Sequence, residues 1–110
     1  MSLRALLFAL ASLALLSSAP PSMAAPASNT LRWTVDGERG IFGFLVYRAA
    51  NPEGPFRRLT TGIVPATGKL RYALEDDNVR SGATYYYVIY SVGTNGVKQP
   101  LTPVVAKQTR

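Results

Sequence analysis

The chain has few groups that do covalent or metal chemistry. None of its 110 residues is His or Cys, so it lacks an imidazole base, a thiolate nucleophile and a zinc site of the usual Cys/His kind. The only acidic cluster is Glu75-Asp76-Asp77-Asn78. It supplies oxygen ligands for a weak Ca²⁺ contact but lacks the ligand spacing of a calcium loop. The commoner use of such residues is local, with Asp76 or Asp77 bonded to its own backbone to shape a bend. An acid–base carboxylate pair also needs a concave site, no Ser stands beside a plausible base, and there is no Gly-rich phosphate loop. The chain reads as non-enzymatic, with no metal and no cofactor.

The tyrosines offer recognition chemistry instead. Thr84 to Val92 is almost wholly β-branched or aromatic and reads as the strongest strand. Strand alternation then puts Tyr85, Tyr87 and Ile89 on one face and Tyr86, Val88 and Tyr90 on the other. Leu45 and Tyr47, on the expected neighbouring strand, share that second face. Leu45, Tyr47, Tyr86, Val88 and Tyr90 are therefore the candidate binding residues, because outward tyrosines combine contact area with a polar tip. The plainer reading is that they form stabilising cross-strand pairs. A protein partner or a second copy is the expected occupant.

The 12 Lys+Arg outnumber the 6 Asp+Glu, giving a net charge of +6, but they are dispersed. Arg32 and Arg71 are expected near one another on one sheet. Arg57, Arg58, Lys98, Lys107 and Arg110 are scattered over loops and edges. No basic stripe interleaves with a stacking platform, so nucleic acid is not an expected partner. The alternative partner is a polysaccharide stacked on Tyr47, Tyr86 and Tyr90, or an anionic polymer or lipid headgroup.

The elements that position these side chains begin after residue 24. Met1-Ser2-Leu3-Arg4 followed by an apolar run from Ala5 to Leu16 reads as a signal peptide. Ser22-Met23-Ala24 places cleavage after Ala24, with Ala27 as the alternative. The protein is thus expected to be secreted or periplasmic, with no transmembrane anchor after cleavage and a short segment, 25–29, ahead of a domain over 30–110. Exported domains this small often carry disulfides. Without Cys, apolar packing must hold this one.

Apolar residues recur with period two, the strand signature, and no stretch sustains a helical period. Leu31, Trp33 and Val35 alternate with polar residues. Phe42, Phe44 and Val46 alternate with Gly43, Leu45 and Tyr47. Phe56 to Thr60 forms a short strand after the breaker cluster Asn51-Pro52-Glu53-Gly54-Pro55, and Leu70, Tyr72 and Leu74 mark a fourth. Thr94-Asn95-Gly96 is a hairpin turn. The last strand, within Leu101 to Gln108, belongs at a sheet edge because Pro100 and Pro103 cannot donate to a ladder. About six strands with regular turns predict an all-β antiparallel sandwich. Its expected core is Trp33, Phe44, Val46, Tyr72, Tyr85, Tyr87 and Ile89.

Four stretches in order resemble the fibronectin type III family. They are Thr30-Leu31-Arg32-Trp33, Gly43-Phe44-Leu45-Val46-Tyr47-Arg48, Gly54-Pro55-Phe56-Arg57-Arg58-Leu59, and Val79 through Tyr87. The resemblance covers residues 30–109 and implies an immunoglobulin-like β-sandwich that serves as a binding module or spacer. It places Tyr85 at the bend before its strand, where a hydroxyl bonds back to the preceding loop. The family's first strand has no clear counterpart here, which leaves the Trp33 strand at the edge of a two-stranded sheet. Such an edge offers N–H and C=O groups to another chain.

Overall fold

The structure, a computed structural model, describes residues 26–60 and 62–110. The signal-peptide reading and the cleavage after Ala24 lie outside the described residues. The strands are β1 (Asn29–Thr34), β2 (Ile41–Ala49), β3 (Arg57–Arg58), β4 (Val64–Pro65), β5 (Arg71–Asp76), β6 (Thr84–Gly93), β7 (Lys98–Pro100) and β8 (Val105–Gln108). There is no helix among the described residues.

They form two packed antiparallel sheets. One is the pair β1–β5, with Leu31 opposite Leu74 and Trp33 opposite Tyr72. The other is built on β2 and β6. Both β3 and β4 pair along the far side of β2, and both β7 and β8 along the far side of β6. The second sheet is therefore six strands in number but four in width.

Period-two alternation explains why these layers pack. Leu31 and Trp33 point from β1, Phe44 and Val46 from β2, and Tyr87 and Ile89 from β6 into one buried cluster, with Tyr72 and Tyr85 packed against it. The Trp33 ring stacks on Tyr72 at 5.7 Å and meets the edge of Phe44 at 5.6 Å. All seven expected core residues take part.

Four details depart from the sequence reading. Val64–Pro65 was not expected as a strand; it reaches β2 because Gly43 lacks a Cβ, which would lie 2.2 Å from Ile63 Cγ2. The strand expected over Phe56–Thr60 shrinks to Arg57–Arg58. The last strand falls within the expected range as β8, Val105–Gln108, but a further strand, β7 at Lys98–Pro100, was not expected ahead of it. Between them, Leu101 N–H and Thr102 N–H both donate to Ile89 O, a local bulge around Pro103. Finally, the β2–β6 register shifts between Ile41 and Gly43, which throws Phe42 out of the inward row and leaves it 57% exposed.

Glu38 fastens the loop that leads into β5. Its carboxylate accepts hydrogen bonds from Gly68 N–H at 2.7 Å, from Leu70 N–H at 3.0 Å and from the Tyr72 hydroxyl. These contacts help hold Leu70 at φ 66°, a left-handed conformation uncommon outside glycine. The Tyr72 hydroxyl, then the two amides, hold the Glu38 carboxyl below its ordinary value of 4.5 against some desolvation. The unfolded chain thus binds this proton more readily than the folded one. The contribution is complete above the ordinary value and disappears as pH falls through the folded one. Thermal melts between about pH 6 and about pH 3 are expected to lose stability on acidification, and Glu38→Gln is expected to flatten that dependence. An unchanged slope in the variant would show that Glu38 is idle.

Candidate interaction surface

The outer face of the wide sheet is assembled by the β2–β6 ladder, which sets Leu45 opposite Tyr90, Tyr47 opposite Val88 and Ala49 opposite Tyr86. All five candidate binding residues therefore share one face, on the side away from Val46 and Ile89. Their accessibility differs. Leu45 and Val88 are buried, at 4% and 7% exposure, while Tyr47, Tyr86 and Tyr90 are half-buried. Tyr47 and Tyr90 sit on the diagonal of the ladder and meet edge to face at 5.3 Å with planes 70° apart. With Leu45 and Val88 buried on the other diagonal, the tyrosines and not the aliphatics make the surface.

Two cations complete this face. Lys98, on β7, pairs with Val92 of β6, and its Nζ donates to the Tyr47 hydroxyl at 2.9 Å. The same ammonium lies 5.0 Å from the Tyr47 ring centroid and 5.1 Å from that of Tyr90. Arg58, on β3, is the register partner of Tyr47. The sequence reading counted Lys98 and Arg58 only as scattered charges. Counting back from the Asn95-Gly96 turn would have placed Lys98 beside the outward row, since hairpin register follows from the turn.

The cations change the chemistry of Tyr47. The Lys98 hydrogen bond, then Arg58, holds its phenol below the ordinary value of 10.0, despite slight desolvation. In an alkaline difference-absorbance titration one tyrosine is expected to ionise ahead of the rest. Lys98→Gln is expected to raise it, leaving only the smaller lowering by Arg58. A titration unchanged by that substitution would mean that the ammonium is not seated on Tyr47 in solution.

The acidic cluster does something else. Asp76 is turned inward, its side chain only 1% exposed, and Arg48 NH1 donates to both of its carboxylate oxygens at 2.8 Å. The Tyr87 hydroxyl donates to Asp76 Oδ2 at 2.7 Å and accepts from Asn29 Nδ2 at 2.9 Å. Burial pushes the Tyr87 phenol well above its ordinary value. Asn78 N–H also donates to Asp76 Oδ1 at 3.2 Å, the local bend-shaping bond expected for an Asp here. Asp76 thus ties β1, β2, β5 and β6 together. Its neighbours do not converge with it, and no group of three or more acidic side chains gathers among the described residues.

Tyr85 takes the corner role expected of it. Its hydroxyl accepts from Arg80 N–H at 2.9 Å, and the Arg48 guanidinium lies 5.3 Å over its ring. Arg32 and Arg71 are diagonal neighbours on the exposed side of the narrow sheet, because Arg32 pairs with Ala73 and Thr34 with Arg71. Comparison of the chain with family models, with curated proteins and with solved structures returns no match.

Proposed function

We propose that this is an exported, non-catalytic binding module of the fibronectin type III kind, acting through protein–protein contact at the cell envelope or outside the cell. The finer family assignment rests on the Trp33-centred core, the Tyr85 hydrogen bond to Arg80 and the order of the strands. The observation that carries the binding reading is the outer face of the wide sheet. There Tyr47, Tyr86 and Tyr90 remain partly open beside Lys98 and Arg58. Aromatic and cationic side chains gathered in one place are the composition of interface centres.

The alternative keeps an anionic form. Lys98 and Arg58 beside Tyr47 would suit a sulfated or carboxylated polymer, whereas rings 70° apart give a neutral sugar no common plane. The test is a pull-down from the exported fraction with the chain and with Tyr47→Ser/Tyr90→Ser, both first checked by circular dichroism for an intact fold. The variant is expected to lose its protein partner. Retention of the same partners would sink the protein-binding reading. Binding that survives protease treatment of the bait extract and collapses between low and moderate salt would establish the anionic polymer instead.

A further inference from the structure

We infer that the free edge of β1 is a receptor for an extended, acidic segment of another protein, which adds a third strand to the narrow sheet. Val35 N–H donates to Leu70 O, and Leu31 and Trp33 stand opposite Leu74 and Tyr72. In an antiparallel ladder the bonded positions alternate. Leu31 and Trp33 therefore spend their backbone groups on β5, and Thr30, Arg32 and Thr34 turn theirs outward. Among the described residues nothing pairs with them.

A second observation shows that the sandwich has room there. Leu74, Glu75 and Asp76 line an open groove with Arg57, Arg58 and Val64, so β5 lies over the β3–β4 side of the wide sheet. The free edge of β1 consequently lies toward β7 and β8. On β8, Val105 pairs with Tyr87 and so faces the core side, yet it is 51% exposed. Lys107 pairs with Tyr85, faces the same way, and is exposed as well. The narrow sheet stops one strand short of covering its partner, and a strand bonded to Thr30, Arg32 and Thr34 would cover it.

Charge selects the occupant. The flank carries Arg32 on the outer side with Arg71 diagonal to it, and Lys107 on the inner side, against Glu75 alone opposite Thr30. A second copy paired two-fold about Arg32 would set Arg32 against Arg32, and in any register two chains of net charge +6 would be brought together. With cleavage after Ala24 only residues 25–28 precede β1, too few to reverse direction and lie beside it. An alternating segment with apolar residues over Val105 and acidic ones beside Arg32 satisfies both faces.

The experiment uses the full chain and a blocked peptide, Thr-Val-Glu-Val-Glu-Val-Thr, with a Lys-for-Glu version as control. Site-resolved hydrogen exchange is expected to show fast amides at Thr30, Arg32 and Thr34 and slow ones at Leu31 and Trp33. The Glu peptide is expected to slow the three fast amides. Arg32→Glu should weaken that peptide about tenfold or more and favour the Lys version, as charge reversal at a defined pair does. Val105→Ser, at an exposed position, should weaken binding several-fold without unfolding the chain. The Tyr47→Ser/Tyr90→Ser variant should bind the peptide normally, which separates this edge from the outer face of the wide sheet. The inference is overturned if the three amides are already as slow as Leu31 and Trp33. Equal binding of both peptides, or protection that appears only through self-association, also overturns it.

Discussion

Trp33→Ala is expected to leave the chain without a cooperative unfolding transition at room temperature. The indole is 5% exposed, stacked on Tyr72 and edge-on to Phe44, so its removal empties the space between the two sheets. Truncating a buried Trp to Ala costs about 3–5 kcal/mol through lost transfer energy and the cavity left behind. Small domains lie near the lower end of a total stability of roughly 5–15 kcal/mol. No disulfide offsets the loss. Urea denaturation followed by far-ultraviolet circular dichroism reads the outcome. Trp33→Phe should be far milder, because it keeps most of the ring and removes an indole N–H that is buried without a partner. If the Ala variant unfolds with a midpoint near that of the parent chain, the packing around this ring contributes little and the account of the core is wrong.

Arg48→Met is expected to produce the other large loss, about 3–5 kcal/mol, the usual cost of removing one partner of a buried ion pair. Arg48 keeps some contact with solvent, its side chain 23% exposed, but Asp76 does not. The substitution strands a carboxylate that has only the Tyr87 hydroxyl and the Asn78 amide left to it. It also removes the guanidinium over Tyr85 and the bond to Asn78 O. The reverse change, Asp76→Leu, should cost less, since the Arg48 head group has a route to water. The double variant should recover part of the single loss, because the charges vanish together. Urea midpoints for the two single variants and the pair measure the coupling. Simple additivity would mean that the two groups do not depend on each other.

The parts of this molecule that are legible in its sequence are those governed by side-chain period. Trp33, Phe44, Val46, Tyr87 and Ile89 fall on one side of their strands because alternation leaves no other choice. The Tyr85 hydrogen bond to the preceding loop was legible from the family resemblance, a bend with a Tyr at a fixed offset, and not from side-chain period. Part of what escaped depends on backbone contact alone. Val64–Pro65 is held to β2 by proximity at Gly43, and β7 is set off from β8 by amides that meet Ile89 O, and neither leaves a hydrophobic rhythm. The Arg48–Asp76 pair escaped because charges at strand ends read as solvated surface, and nothing local announces a partner 28 residues away. On the outer face, parity was readable and exposure was not. Leu45 and Val88 share the parity of the outward tyrosines yet are buried, and alternation specifies the face of a side chain but not how far its neighbours cover it.

The narrow sheet has a further consequence. Among the described residues the two-membered layer has an unsatisfied margin on each flank, here β1 on one side and β5 on the other. The two margins are different, so one molecule's β1 docking onto the next molecule's β5 is a head-to-tail contact, which grows a filament wherever the rotation between copies does not close a ring. Mutual repulsion between like-charged copies is the brake on that growth, and brine or a polyanion releases it.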